Sequence, residues 1–446
     1  MRSIFFAGMA LALTAVAGGS AFAASSLIEV YELALANDSQ LRAAEFKRRA
    51  DQRAFPQAIY AYLPRAVFQS DLMRTRQDVI TSDNTVFATG QTTFDTTTLS
   101  FSITQPIFNY ETISRISQAR EIDRQAVAEF AATGQDLILR TAQAYFVVLA
   151  ASDGVAFAEA ELEAIKQQLD LARERQRAGL ATFTTVSDIE ARHEFAQSQV
   201  IDARNELADA REALREIVGE HIAEIAPLGD TLPLVKPDPA DIGAWVEAAL
   251  TSNLSLRGQR HAVEVARREV SVQRASSYPT VDLVGTFNHQ ETDGSLFGGG
   301  STTEDANVML RFRVPLFNPD GIGYPSRAAR YRYRQAVYDL RTQERQVERE
   351  TRAVYNRTVG SIAKVTALEK SVAFQKIALE ESVVRFKANI ATSLDVLDAQ
   401  RDLYRAKRNL ARARYDYLLG VLRLKQLNGS LGEPDLERVN ALLEMP

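Results

Sequence analysis

Histidine is the first residue type to search for chemistry, because its imidazole changes charge near neutral pH and binds metals. His193 and Glu194 open like the motif of a zinc protease, but Gln197 stands where the second histidine belongs. The chain has four histidines, which are scattered: His193, His221, His261 and His289. The sequence offers no nucleophile–base pair and no paired-carboxylate site. We therefore expect no enzyme, no cofactor and no metal ion, and we interpret His193 as a helix-seam residue.

Composition narrows the function classes further. A net charge of −5 over 446 residues is too mild to indicate a nucleic-acid partner. The N-terminus is typical of a signal peptide over residues 1–23, with Met1 and Arg2, the apolar run "IFFAGMALALTAVAG" and the small-residue cleavage site "AFA". An N-terminal membrane anchor is the alternative. Because the exported chain contains no cysteine, neither a disulfide framework nor a lipid-modified cysteine is possible.

Two short stretches predict strands that turn into helices. "SFSITQPIFN" (100–109) alternates apolar and polar residues up to Pro106, and "MLRFRVPLFN" (309–318) does the same up to Pro315. Each strand therefore has an apolar face and a polar face, and each proline is predicted to lie at the strand-to-helix bend. The alternative is an ordinary soluble hairpin with its apolar face on a protein core.

The sequence contains an internal duplication. "ALANDSQLR" (34–42) resembles "ALTSNLSLR" (249–257), "QPIFN" resembles "VPLFN", and "AGLATFTTVSD" (178–188) resembles "ANIATSLDVLD" (388–398). These matches keep their order at an almost constant offset, so the two halves should share one structure. We expect a signal peptide at 1–23, repeats at 24–218 and 253–428, a connector at 219–252 and a tail at 429–446.

Each repeat predicts a helix, two strands and two long helices. Residues 111–177 contain no proline and few glycines, which indicates one helix of about 100 Å. Apolar residues recur with heptad spacing in the last helix of each half, as in Val186, Ile189 and His193 or Val396, Ala399 and Leu403. A solvated antiparallel coiled coil explains these helices, but it does not explain the hairpins.

The strands predict a barrel shared between chains. No later segment has about 18 consecutive apolar residues, so the chain should enter a membrane only through its strands. Four strands per chain cannot close a barrel, whereas three copies supply twelve. The predicted fold is thus a mixed α+β membrane protein: a trimeric 12-stranded β-barrel continued by a long α-helical coiled-coil barrel, with internal duplication. The apolar strand face would meet lipid, and the polar face, with Arg311 and Arg313, would line a wet lumen.

At this point the sequence resembles a known family, the TolC-like outer-membrane efflux proteins. The resemblance covers nearly the whole mature chain and includes "RFKANIATSLDVLDAQRDLY" (385–404) and "ARARYDYLLGVLRLKQLNG" (411–429). It implies a trimeric exit duct through the outer membrane and periplasm of a Gram-negative bacterium. Its implied partners are a periplasmic adaptor (membrane fusion) protein and an inner-membrane ABC or RND-type pump, for drug efflux or type I protein secretion.

The resemblance also assigns roles to the turns between the long helices. Gly179 and Asn389 occupy equivalent positions in these turns, and both residue types tolerate positive φ. Within the family the turns form a closed periplasmic tip, and Asp395 and Asp398 match the aspartates that ring its constriction. Such a ring would select cations and raise the pKa of its members. The alternative is a pair of solvated acids in the first turn of a helix.

Three residues depart from the family's best-known member. It has an arginine where this chain has Ala391, an aspartate at Thr185 and a tyrosine at Phe386. In that member these residues form contacts that lock the closed state, including a salt bridge. The same salt bridge cannot form here, so the closed state must be held differently, with Phe386 and the seam packing as candidates. The runner-up function is a periplasmic coiled-coil scaffold or adaptor without a pore.

Overall fold

A computed structural model describes residues 24–81, 90–294, 299–316, 323–388 and 390–444. The predicted signal peptide and Asn389 lie outside the described residues. The helices are α1 (Leu27–Asn37), α2 (Ser39–Gln52), α3 (Ala54–Tyr60), α4 (Tyr110–Arg177), α5 (Phe183–Val218), α6 (Ile242–Ser252), α7 (Leu254–Ala275), α8 (Tyr324–Lys387), α9 (Ser393–Leu427) and α10 (Glu433–Asn440). The first helix of the first repeat, which the sequence predicts as one segment over residues 39–60, is divided at Arg53 into α2 and α3.

One antiparallel sheet collects the strands of both halves. Its strands are β1 (Arg65–Val79), β2 (Gly90–Asn109), β3 (Thr280–Thr292) and β4 (Ser301–Arg313), in the order β1-β2-β3-β4. β2 begins ten residues before the alternating stretch at 100–109, because the ladder continues through polar residues as far as Val79 opposite Gly90. Within the described residues, β1 and β4 each have one edge that pairs with no other strand.

Pro106 lies inside β2 and not at the strand-to-helix bend. The register shifts between Pro106 and Phe108, which marks a bulge, and pairing resumes to Asn109. A bulge tolerates proline because it leaves a ladder position without the usual N–H donor. The helix begins after Asn109, whose side chain accepts a hydrogen bond from the N–H of Thr112 at 3.2 Å. Pro315 does lie just beyond the end of β4.

Four helical columns extend from the sheet. α4 and α8 are unbroken over 68 and 64 residues, or about 100 Å at 1.5 Å per residue. α5 runs back along α4, and α9 runs back along α8. The predicted heptad seams are confirmed, because Val186, Ile189, Val396 and Leu403 are all buried.

The two returning helices end at equivalent junctions. The side-chain Nδ2 of Asn37 donates to the carbonyl of Val218 at 2.8 Å, where α5 meets α2. The side-chain Nδ2 of Asn253 donates to the carbonyl of Leu427 at 2.9 Å, where α9 meets α7. Both asparagines belong to the repeated motif "ALANDSQLR"/"ALTSNLSLR" but stand at neighbouring positions of it, since Asp38 aligns with Asn253. The aligned pair caps the next helix in both halves, where Asp38 accepts from the N–H of Leu41 and Asn253 accepts from the N–H of Leu256. The duplication read from the sequence is thus a duplication of structure.

Smaller elements pack around these junctions. Tyr145 of α4 is fully buried and donates its hydroxyl to the carbonyl of Ala226 at 2.8 Å. The connector and the tail lie together, since the N–H of Gly229 donates to the carbonyl of Leu442 at 2.9 Å.

By length and composition alone, α4 could also cross a membrane. Its apolar residues instead pack in this core, together with α1 and α10.

We predict that the turn after α9 admits only glycine. Gly429 has φ +73°, and a Cβ there would overlap the carbonyl oxygen of Ser252. Gly429→Ala should therefore lower the free energy of unfolding by roughly 1–3 kcal/mol. Gly360→Ala is the matched control, because Gly360 is helical with open space around it, and alanine there should stabilise by about 1 kcal/mol. Thermal unfolding of both variants tests this prediction. An unchanged melting temperature for Gly429→Ala would contradict the close contact with Ser252.

Candidate functional site: strand faces and helical tip

The two faces of the sheet differ in character, since one is mainly apolar and the other is mainly polar. Phe68 lies opposite Phe101, and Phe101 lies opposite Phe287, which forms a row of three phenylalanines across three strands. These side chains remain 68%, 41% and 43% exposed in the chain. Leu310 and Phe312 of β4 extend the same face. We call this surface, which has no protein to cover it among the described residues, the apolar belt.

The opposite face of the sheet is polar. Ser100 and Asn288 are cross-strand neighbours on this face, and Asp282 lies directly opposite Arg311. Arg313 lies opposite Thr280 at the end of the ladder nearest the helices. Arg311 and Arg313 therefore share the polar face, as the alternation predicted. Asp282 places a negative charge beside Arg311, a neighbour that the single-strand pattern could not identify.

The helical tip consists of two equivalent turns at the far end of the columns. In the α4–α5 turn, Gly179 has φ +74° and the N–H of Leu180 donates to the carbonyl of Arg175 at 2.8 Å. In the α8–α9 turn, the N–H of Ile390 donates to the carbonyl of Arg385, also at 2.8 Å. The positive φ expected for Gly179 is confirmed, whereas the geometry of Asn389 is not described.

Asp395 caps the first turn of α9. Its Oδ2 accepts hydrogen bonds from the backbone N–H of Thr392 at 2.7 Å and from the Thr392 hydroxyl at 2.8 Å. The Thr392 hydroxyl in turn accepts from the N–H of Asp395, which completes a capping box. The bond from the Thr392 backbone, and after it the bond from the Thr392 hydroxyl, hold the pKa of Asp395 below its usual value. Within the single chain, these local donors stabilise the charged form of Asp395, and the raised pKa expected for a ring of carboxylates from three copies stays a prediction.

Asp398 instead joins two helices. Its Oδ1 lies 2.7 Å from Nη1 of Arg192 on α5 and 3.4 Å from Nη1 of Arg401 on its own helix. Sequence analysis did not identify Arg192. The available signal was its position next to the seam residue His193, just as Asp398 precedes the seam residue Ala399. Charges that flank a coiled-coil seam commonly pair across it.

Phe386 makes a second contact between the two helix pairs. It is 7% exposed at the end of α8, and the guanidinium of Arg175 at the end of α4 lies 4.7 Å from the centroid of its ring. At that distance the cation is attracted to the face of the ring. Arg175–Phe386 and Arg192–Asp398 thus both connect α4 and α5 to α8 and α9, and we call these two contacts the tip latch.

A family model decides the identity of this arrangement. The model of the outer membrane efflux protein family matches residues 30–220 and 245–430, which correspond to the two halves of the duplication. The chain belongs to the outer membrane efflux protein family. It is accordingly a protein of the Gram-negative outer membrane.

Curated relatives of this efflux protein match along almost its whole length. The outer membrane protein TolC of Vibrio cholerae is 33% identical over 428 residues, 96% of this chain and 95% of that protein. The alkaline protease secretion protein AprF of Pseudomonas aeruginosa is 32% identical over 424 residues, 94% of this chain and 87% of that protein. A solved structure, the CmeC outer membrane channel of Campylobacter jejuni, superposes with a TM-score of 0.80 at 14% identity, covering 93% of this chain and 89% of that one.

This efflux protein carries no metal cluster in the part that the structure describes. No group of three or more histidine, cysteine, aspartate or glutamate side chains there is arranged to hold a metal ion. His193 is partly buried beside its seam and contacts Glu194 at 3.3 Å. At two of the three positions that depart from the family's best-known member, Thr185 hydrogen-bonds Thr182 at 2.9 Å between hydroxyls and Ala391 carries no polar side chain. Neither position takes part in the tip latch.

A second polar contact between the helix pairs lies nearer the junctions. The hydroxyl of Tyr415 on α9 donates to Oδ2 of Asp153 on α4 at 2.7 Å. Burial raises the pKa of Asp153 above its usual value. Burial likewise raises the pKa of Glu161, which lies further along α4 towards the tip. These acids were not found by sequence analysis, because nothing in the α4 heptads shows which acids face α9.

We predict that the capping role of Asp395 depends on pH. Its pKa is lower in the folded chain than in an unfolded one, so its charge stabilises the fold above the unfolded pKa, and this stabilisation is lost as pH falls through the lower, folded value. Wild type should unfold at a higher temperature than Asp395→Asn at neutral pH, and the difference should shrink below about pH 4. Thermal scans from pH 7 to pH 3 test this.

Thr392→Ala is the matched arm of the same experiment. It removes the hydroxyl that donates to Asp395 but keeps the backbone N–H, so its pH dependence should be intermediate. An Asp395→Asn variant whose deficit stays constant down to pH 3 would contradict the capping assignment.

Proposed function

We propose that this chain forms a passive exit duct in the outer membrane for an efflux or type I secretion system. The observation that carries the proposal is the sheet, which has an apolar belt on one face and a polar surface with Arg311 and Arg313 on the other. One face suits lipid and the other suits water, as in the wall of a membrane barrel. The long helical columns would extend this wall into the periplasm.

The duct would be a homotrimer. The free edges of β1 and β4 carry backbone N–H and C=O groups that cannot remain unpaired in lipid. Pairing β4 of one copy with β1 of the next satisfies both edges, and three copies give twelve strands. A pore of that size leaves a water-filled channel rather than a lumen plugged by side chains.

Its partners would be a periplasmic adaptor (membrane fusion) protein and an inner-membrane ABC or RND-type pump. Two of the relatives are named for the secretion of proteases, AprF of Pseudomonas aeruginosa and PrtF of Dickeya chrysanthemi. Others carry the name of the outer membrane protein TolC. These names support a role in a tripartite export system. A periplasmic scaffold without a pore is disfavoured, because it has no use for the apolar belt.

The helical tip would be the gate of the duct. Asp395 and Asp398 lie within the first turns of α9, beside the turn that ends α8. Threefold symmetry would repeat both carboxylates around one axis and attract cations there. The tip latch would hold the two helix pairs of each chain together in the closed state, through Arg175–Phe386 and Arg192–Asp398. Opening would separate the pairs and lengthen both contacts.

The first test of this proposal is conductance in planar bilayers. Wild type should give a small cation-selective conductance, and Asp395→Ala/Asp398→Ala should move the cation-to-anion permeability ratio toward about 1. Glu216→Ala/Glu220→Ala is the matched control, because it removes two exposed carboxylates at the opposite end of α5. Unchanged selectivity in the first variant would remove the gate assignment and keep the channel. No conductance from folded, inserted trimers would favour the scaffold.

A second test separates the latch from ordinary surface ion pairs. Arg192→Gln should raise the open fraction between roughly threefold and a hundredfold, since three half-exposed ion pairs, one in each copy, would be lost together. Arg204→Gln is the control, because Arg204 contacts Glu159 at 2.6 Å but joins α5 only to α4. Both variants lose one arginine per chain. Equal conductance increases in the two variants would show that the latch does not hold the gate.

A further inference from the structure

A group of unpaired arginines begins α8. Arg327, Arg330 and Arg334 are exposed and share one face of the helix, because they are spaced by three and four residues. Within the described residues, none of them makes an ion pair or side-chain hydrogen bond. The helix contains no acidic residue from Tyr324 to Tyr338. We call these three residues the arginine collar.

The collar lies at the level where the strands begin. α7 and α8 pack antiparallel, with Arg260 at 4.0 Å from Glu344 and with Leu256 in one cluster with Val347. Counting equal numbers of residues along both helices from that contact places Arg274 level with Arg330. α7 ends one residue after Arg274, and β3 starts at Thr280. The collar is therefore next to the helix-side margin of the apolar belt.

The collar faces away from the side on which the columns curve inward. A pocket of about 580 Å³ is lined by Gln40 of α2 and by Asp339 and Gln346 of α8. α2 and α8 are the two outer members of the row α2–α4–α7–α8, in which each helix contacts the next, so a pocket that both line is on the concave side. At about 100° per residue, Arg330 and Arg334 are on roughly the opposite face of α8 from Asp339 and Gln346.

Tyrosines accompany the collar. Tyr324 and Tyr331 are 84% and 68% exposed, and they lie among the arginines in the first turns of α8. Tyrosine is enriched where a membrane surface meets water, because its ring is apolar and its hydroxyl polar. The collar is thus continuous with the apolar belt through residues that suit the headgroup region.

A neighbouring copy of the chain would not neutralise the collar. The edge that a second copy would bring to α8 contains α3 and the start of β1, and residues 53–65 there include Arg53 and Arg65 but no aspartate or glutamate. The end of α7 is similar, since residues 270–280 contain Arg274 and no acid. Association of copies therefore concentrates positive charge at this level.

We propose that the arginine collar binds the phosphate groups of anionic phospholipids in the periplasmic leaflet of the outer membrane. Guanidinium donates paired hydrogen bonds to phosphate oxygens and remains charged at every relevant pH. Positively charged residues at a membrane surface attract anionic lipid over a distance of about one Debye length. The collar would retain such lipids around the trimer and fix the depth of the barrel. The proposal rests on the membrane location and not on the gate.

The test is native mass spectrometry of the intact protein with added dioleoyl phosphatidylglycerol or dioleoyl phosphatidylcholine. Wild type should bind phosphatidylglycerol in preference to phosphatidylcholine. Arg327→Gln/Arg330→Gln/Arg334→Gln should weaken phosphatidylglycerol binding by about fivefold per arginine removed and leave phosphatidylcholine binding unchanged. Conductance of the same preparation verifies that the variant is assembled.

The matched control is Arg345→Gln/Arg349→Gln/Arg357→Gln. These arginines are also exposed on α8, but they begin about 30 Å from its start, beyond headgroup reach, so phosphatidylglycerol binding should match wild type. Equal losses in both variants, or equal binding of the two lipids by wild type, would overturn the proposal. Loss of the trimer in the collar variant with lipid preference intact in wild type would mean that the arginines bind a second copy, which also overturns it.

Discussion

A backbone polar group has no water to bond in the hydrocarbon of a membrane, and the rest of this molecule depends on that constraint. Four strands satisfy their own ladders from β1 to β4 but leave two edges. Those edges call for further copies, and the copies set the number of helical columns around the common axis. Each column then needs one face that packs in its own coiled-coil seam and another that packs against the neighbouring column. Sheet, oligomer and helical wall are thus consequences of one requirement.

The duplication makes this architecture economical to specify. In both halves the repeated motif supplies an amide that joins a returning helix to the next column, from neighbouring positions of the motif, as Asn37 and Asn253. The same hydrogen bond closes both turns at the tip, from Leu180 and from Ile390. The two halves keep one acidic residue of the tip and change another. Asp395 and Asp398 have Thr185 and Asp188 as their counterparts in the first half.

Much of the fold was predictable because it follows from local periodicity. Alternation assigned Arg311 and Arg313 to the polar face, and heptads assigned Val186 and Val396 to seams, since both patterns depend only on neighbours in sequence. The bulge at Pro106 was missed because it depends on the register with β3. The Arg192–Asp398 pair was missed for a related reason. The register between helices that are distant in sequence decides which charges meet, and the lowered pKa of Asp395 depends on cap geometry rather than residue type.

The two kinds of column have different mechanical properties. α4 and α8 pass the junctions without interruption, whereas the columns α5–α2 and α9–α7 are each interrupted and held there by a side-chain amide on a backbone carbonyl. Torque applied to an unbroken helix is transmitted along it, but an interrupted column transmits little beyond its joint. Rotation of α5 and α9 at the tip is therefore absorbed at the junctions. Rotation of α4 or α8 would instead reach β2 and β4, because these helices follow those strands, so only movements of the returning helices would leave the lipid-facing end undisturbed.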